Sequence, residues 1–246
     1  INTDGLVTDE SVNTTLAFVH TLPGGDREFS FYRNPGADMM LSESDIDYKL
    51  VQNSRIFHFG SLSMTGEICE AATKKAVETA KESGAIISFD PNLRENLWDS
   101  LDKAREKIAY GISECDILKI SDNEVEFLFG TTDYDKGAAL LKEKYNIPLI
   151  LITLGKDGSR AYYKDMKVEA APFLQEKTTT GAGDTFCASS LNYVLEHGLD
   201  NLTEENLKEL LTFANAAASL ITTRKGALRV MSTKEEVLDF MKSRGC

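Results

Sequence analysis

From Ser54 onward the chain alternates short apolar runs with stretches of helical spacing, and this alternation restricts the fold more than any other feature. Arg55–Phe59, Ala85–Phe89, Asp116–Ile120 and Leu149–Thr153 read as buried strands. Thr65–Ser83, Leu101–Ile112, Asn123–Phe129 and Lys136–Tyr145 read as helices, with Gly84 and Gly130 as stops. Two further β-runs, Arg160–Tyr163 and Val168–Ala170, are followed by a helix opening at Gly181-Ala-Gly183 and by helices near Asn206–Arg224 and Lys234–Ser243. Such spacing predicts right-handed βαβ units: an α/β, doubly wound, mainly parallel sheet with helices on both faces. Ligands of that architecture sit at the carboxyl ends of strands, so residues just past strand ends are the candidates for chemistry.

The first 40 residues break the pattern. Thr14–Val19 and Phe29–Arg33 are β-rich and flank His20–Glu28, which is turn chemistry. The expected division is a hairpin in residues 1–40 and an α/β core in residues 41–246, the hairpin being either an edge of the main sheet or a small lid. The formal net charge of −12 argues against nucleic acid or an anionic membrane as partner. There is no signal peptide and no apolar run of bilayer length. Cys69, Cys115, Cys187 and Cys246 lack metal-like spacing and read as reduced thiols of a cytoplasmic protein. His20, His58 and His197 share no metal-like spacing either, and Phe57, Phe59 and Phe89 read as core.

Thr178–Phe186 (TTTGAGDTF) is the stretch with the most chemical content. Three small residues, Gly181, Ala182 and Gly183, precede an acid and then a helical run. Glycine lets a ligand approach the backbone, and the first N–H groups of a helix lack internal partners. One reading is an ordinary Gly-rich loop with an N-capping Asp. The other is an anion hole whose neighbouring carboxylate, Asp184, takes a proton from an attacking hydroxyl.

T-T-G-A-G-D-T-F closely resembles the C-terminal signature of the ribokinase-like (PfkB) sugar kinases. The resemblance implies that Gly181, Ala182 and Gly183 form the anion hole and Asp184 is the catalytic base. Phe31-Tyr-Arg-Asn-Pro-Gly-Ala-Asp38 resembles the lid segment of the family's fructokinases, which implies that Arg33 reaches the sugar. Asp90-Pro-Asn-Leu-Arg94, with Leu97-Trp98 after it, resembles fructokinases and 2-keto-3-deoxygluconate kinases, and implies that Asn92 and Arg94 contact sugar or transferred phosphate. Alone it reads equally as an Asp–Arg turn clamp. Asn123-Glu-Val-Glu126 alone reads as a helix start; the resemblance implies that Asn123 and Glu126 organise magnesium through water, Glu124 facing elsewhere. Thr153, Gly155 and Gly158 match the family's nucleotide turn, Asn215 its adenine-side asparagine, and Gly226-Ala227 the loop closing the nucleotide site. A plain hairpin turn and close helix packing are the alternatives for the turn and for Asn215.

Three departures stand out. Thr178 replaces an Asp of the family's monovalent-cation loop, so potassium dependence is expected to be weak. The proline usual after Gly226-Ala227 is missing. The family's N-terminal segment, with a first strand, a sugar-binding Asp and a Gly-Gly-Ala signature, is not in these residues, so unpaired edges are expected at Ile56–Phe59 and Ile86–Phe89. The resemblance implies an ATP-dependent kinase that phosphorylates a primary hydroxyl of a ketohexose, fructose above all, with magnesium as cofactor and a homodimer formed through the lid. The alternatives are 2-keto-3-deoxygluconate kinase, another ribokinase-like sugar kinase, or a non-catalytic sugar- or nucleotide-binding regulator.

Overall fold

The computed structural model describes the chain apart from Ile1, residues 22–26, residues 174–179, Lys225, Ala227, Cys246 and the side chains of Thr21 and Arg27. Two compact units are present, one of Ile1–His20 with Arg27–Leu118, the other of Thr21–Asp26 with Lys119–Cys246.

In the first unit, β1 (Leu16–Thr21) and β2 (Arg27–Tyr32) form a two-stranded sheet of their own. A short helix α1 (Tyr48–Gln52) follows, then β3 (Ile56–Gly60), α2 (Glu67–Glu82), β4 (Ile86–Asp90), α3 (Leu101–Glu114) and the start of β5 (Ile117–Ser121). β3 pairs with β4 in parallel, Ile56 to Ile86 through Gly60 to Asp90, and β4 pairs in parallel with β5. Phe59 and Phe89 meet in the core with ring centroids 4.7 Å apart, while Phe57 is half-buried. α3 lies directly over Phe89: a Cβ on Gly111 would fall 2.3 Å from its ring, so that helix position requires glycine.

In the second unit come α4 (Asp122–Phe129), α5 (Tyr134–Tyr145), β6 (Leu149–Thr153), β7 (Ser159–Tyr163), β8 (Met166–Ala170), α6 (Ala182–His197), α7 (Glu204–Thr222) and α8 (Lys234–Ser243). β6, β7 and β8 form an antiparallel meander. Strand order in the larger sheet is β3-β4-β5-β6-β7-β8, parallel over its first three strands and antiparallel over its last three. β3 is an edge strand, whereas β4 has a neighbour on each side, so the open edge expected for both belongs to β3 alone. Ala216 and Ala217 of α7 are small enough for α8 to close on them through Val237, with Phe173 and Phe240 packed against the contact.

Helix ends follow the sequence chemistry. Ser100, Asp133 and Thr233 accept first-turn N–H groups of α3, α5 and α8. Gly130 and Asn146 end α4 and α5 in the left-handed conformation. Cys69, Cys115 and Cys187 are buried and form no disulfide among the described residues. Among the described residues no helix is long and apolar enough to cross a membrane, and no three or more His, Cys, Asp or Glu residues gather into a group that could hold a metal ion.

The two-stranded sheet is anchored by one buried guanidinium. Arg33 donates from Nε and Nη2 to Asp38 Oδ2 at 2.7 and 2.6 Å, from Nη1 to Thr65 Oγ1 at 2.7 Å and from Nη2 to the Leu62 carbonyl at 3.2 Å. Thr15 donates its hydroxyl to the other Asp38 oxygen. Burial pushes the Asp38 carboxyl up, but the hydrogen bonds from Arg33 and Thr15 and the guanidinium charge outweigh it, and the net shift is downward. A depressed carboxyl contributes stability above its unfolded value of about 3.9 and loses it as pH falls through the folded value. The stability difference between the wild type and Asp38→Asn is therefore predicted to be largest near neutrality and to begin to narrow as pH falls below about 4, read as denaturant midpoints across pH. A gap that stays constant as pH falls from neutrality into the acid range contradicts the assignment.

Candidate active site

β5 delivers the second unit's charged groups. Its residues Ile117–Ile120 are all buried, and among them stands a lysine, Lys119, only 5% exposed. At the strand's end Ser121 caps α4 in a reciprocal box: Glu124 N donates to Ser121 Oγ, and the Ser121 N–H donates to the Glu124 carboxylate at 2.8 Å. Glu124 is consequently buried, while Asn123 and Glu126 are exposed.

The first turn of α6 is built differently. Gly181 occupies the N-cap position at φ 78°, a conformation that costs a residue with a Cβ roughly 1–2 kcal/mol. Among the described residues no side chain caps this helix, so its leading N–H groups have no side-chain partner there at the positive end of the helix dipole. A Cβ on Gly183 would lie 3.3 Å from Lys119 Nζ, so the lysine ammonium sits against the turn. Asp184 is exposed in the same turn, and Thr185 Oγ1 is buried with no hydrogen-bond partner among the described residues. Uncapped N–H groups, a neighbouring ammonium and an accessible carboxylate can bind an oxyanion and accept a proton within one helical turn. Lys119 is missing from the sequence expectations because it stands inside an otherwise apolar strand.

The proposed nucleotide turn is held from behind. Thr153 ends β6, Gly155 and Gly158 take φ values of 53° and 93°, and Leu154 N donates to Gly158 O at 2.8 Å. A Cβ on Gly158 would fall 2.2 Å from the Ala170 carbonyl oxygen, so the turn passes β8 too closely for any side chain. Asn215 is buried on α7. Its Nδ2 donates to the Ala170 and Ala171 carbonyls at 3.2 and 3.0 Å, and its Oδ1 accepts from Ser159 Oγ at 2.9 Å. Both amide protons are thus used within the protein, and Asn215 fastens α7 to the strands beside the turn. Gly226 has φ 140° and lies against Val230. Ala227 and Thr178 lie outside the described residues.

In the first unit the carboxyl end of β4 carries the other candidates. Asp90 is buried, Asn92 takes a left-handed φ of 45°, and its N–H donates to Asp90 Oδ1 at 3.1 Å. Asparagine tolerates this conformation better than most residues. Arg94 is half-buried and donates from Nη1 to the Leu93 and Asn92 carbonyls at 2.8 and 3.3 Å. The structure thus brings Asn92 and Arg94 together. Arg33 is different: each of its nitrogens is engaged in the anchor of the small sheet.

Residues 1–234 match the pfkB family of carbohydrate kinases. The probable fructokinase-2 of Arabidopsis thaliana is 42% identical over 243 residues, 98% of this chain and 74% of the relative. The crystal structure of a fructokinase from Xylella fastidiosa with bound ATP matches with a TM-score of 0.89 and 29% identity, over 100% of this chain and 79% of that one. A fructokinase double mutant from Vibrio cholerae O395, solved with fructose, ADP and potassium bound, matches with a TM-score of 0.86 and 27% identity, over 96% of this chain and 76% of that one. Sequence, fold and the uncapped Gly-Ala-Gly-Asp turn agree: the chain belongs to the pfkB family of carbohydrate kinases.

Proposed function

We propose that the chain is an ATP-dependent kinase of a ketohexose, with fructose as the substrate. The observation that carries this reading is the uncapped first turn of α6, with Asp184 exposed in it and the Lys119 ammonium against it. Fructose is supported by the Arabidopsis, Xylella and Vibrio fructokinases. Asp184 takes the proton of the sugar's primary hydroxyl as the oxygen attacks the γ-phosphorus of ATP; the bond to the ADP oxygen breaks and ADP leaves. The N–H groups after Gly181 meet the charge that develops on the transferring group, and Arg94 is assigned to the same charge. In an ADP-release assay over fructose, ribose, 2-keto-3-deoxygluconate and adenosine, fructose is predicted to give the highest kcat/KM. Preference for the keto-acid would move the assignment to that kinase class, and no turnover with any sugar would favour a sugar- or nucleotide-binding regulator.

Lys119 is assigned to the transferred phosphate as well. A buried ammonium beside an anion hole stabilises charge more than an exposed one, because little water screens it. Lys119→Met is predicted to lower kcat by roughly 10²–10³, the usual loss for one transition-state donor. A folded Lys119→Met enzyme within tenfold of the wild-type rate contradicts the role.

Exposed oxygen donors on α4, Asn123 and Glu126, fit a hard, largely hydrated magnesium ion. Magnesium, when bound with ATP, draws charge from the phosphate oxygens. Glu126→Gln is expected to raise the magnesium concentration needed for half-maximal rate; a rise confined to Glu124→Gln transfers the role to the buried carboxylate. Thr178 offers a neutral oxygen where the family has a carboxylate, and a neutral oxygen attracts a cation less. Potassium activation is therefore predicted to be weak and to increase in Thr178→Asp; strong activation of the wild type contradicts this.

The division into a lid, residues 1–40, and a kinase core, residues 41–246, is proposed on the same footing. Leu16, Phe18, Val19 and Tyr32 are 44–61% exposed on a two-stranded sheet that would be marginal alone. Burying them against a second lid would make a homodimer. Sedimentation at micromolar concentration is expected to give a dimer that Phe18→Asp dissociates; a wild-type monomer contradicts it. A cytoplasmic location is proposed from cysteines that read as reduced thiols.

A further inference from the structure

We infer that Phe29, on the lid strand β2, is a positioning residue that sets the guanidinium plane of Arg94 for the transferring phosphoryl group. This rests on the role of Arg94 proposed above and extends it to a residue that carries no polar side-chain atom. The guanidinium carbon lies 5.3 Å from the centroid of the Phe29 ring, within range of a cation–π contact. Phe31 stacks beside Phe29 with centroids 6.0 Å apart and an interplanar angle of 12°. The main chain of Phe29 is itself tied to the loop that carries the arginine, because Asn96 Nδ2 donates to the Phe29 carbonyl at 3.2 Å.

These contacts divide the guanidinium sensibly. It lies over an aromatic ring, a contact that uses no donor. Among the described residues its hydrogen bonds, to the Leu93 and Asn92 carbonyls, all leave from Nη1. Nε and Nη2, the two nitrogens that can fork onto an oxyanion, remain for a ligand. An arginine without such a backing must give up much of its rotamer freedom each time it engages phosphate; the ring removes part of that loss beforehand. Because the ring belongs to β2, the strand proposed to cover the sugar and the arginine proposed to clamp the phosphate are mechanically one piece. The chemical consequence is that orientation of Arg94 depends on where the lid strand lies, so sugar capture and readiness for transfer are coupled.

The test is a steady-state comparison of Phe29→Leu, Phe29→Met, Phe29→Tyr, Arg94→Gln and the double variant Phe29→Leu/Arg94→Gln in the full chain. Phe29→Leu is predicted to lower kcat about tenfold, the scale of a misoriented catalytic group, while the KM values for sugar and ATP stay within about threefold. Phe29→Tyr keeps the ring and is predicted to return kcat to within about threefold of wild type. In the Arg94→Gln background Phe29→Leu is predicted to cost nothing further, because the two residues act as one unit. Phe29→Met replaces the leucine variant if circular dichroism shows that one unfolded. A raised sugar KM with unchanged kcat makes Phe29 a wall of the sugar site and overturns the inference. Additive losses in the double variant overturn it too and leave the role of Arg94 standing. A harmless Arg94→Gln removes that role and the inference with it.

Discussion

The proposed chemistry depends on a helix whose first turn no described side chain caps. Among the described residues α3, α4, α5, α7 and α8 each start with a side chain that satisfies a first-turn N–H, whereas α2, after Gly66, and α6, after Gly181, do not. Omitting a cap costs a helix about 1 kcal/mol, and Gly181 adds the entropy of a flexible residue. Those costs make sense if the open N–H groups are meant for a ligand. Gly183 completes the arrangement, since a side chain there would crowd the Lys119 ammonium. Helix dipole, backbone donors and lysine all favour negative charge at one point, and Asp184 stands accessible beside them.

The same logic separates groups that act from groups that hold. Arg33 is buried with every nitrogen engaged, and it fastens the small sheet to the segment around Leu62 and Thr65. Asn215 spends its amide on the Ala170 and Ala171 carbonyls and on Ser159, and holds the strands that flank the Gly155–Gly158 turn. A polar group whose donors are all used inside the protein is costly to redirect to a ligand. Arg94 keeps two nitrogens for one, which distinguishes it from Arg33 despite their shared charge.

Much of this was legible in the sequence where burial and periodicity coincide. Leu149–Thr153 is a strand over the same residues expected from its apolar run, because four consecutive residues are fully buried. α8 likewise spans Lys234–Ser243 as its spacing predicts. The lid strands are displaced from expectation by one or two residues at each end, Leu16–Thr21 against Thr14–Val19 and Arg27–Tyr32 against Phe29–Arg33, since a half-exposed hairpin has a weak apolar pattern. α5 starts at Tyr134 and not at Lys136 because its cap, Asp133, precedes a polar first turn. α1 went unexpected; its five residues are fixed by Asp47 accepting two N–H groups, too short a segment to show a period. The burial of Glu124 could have been read from Ser121-Asp-Asn-Glu124, which has capping-box spacing. The partners of Asn215 lie 44 to 56 residues away in the chain, and no local pattern announces them.

The central claim is that Asp184 acts as a base beside an anion hole that works without it. The most direct measurement is Asp184→Asn, with kcat from ADP release and ATP affinity from calorimetry on the same preparation. The account predicts a kcat at least ~10² lower with ATP affinity within a few-fold of wild type. Turnover within tenfold of wild type, or ATP binding lost together with turnover, would contradict it.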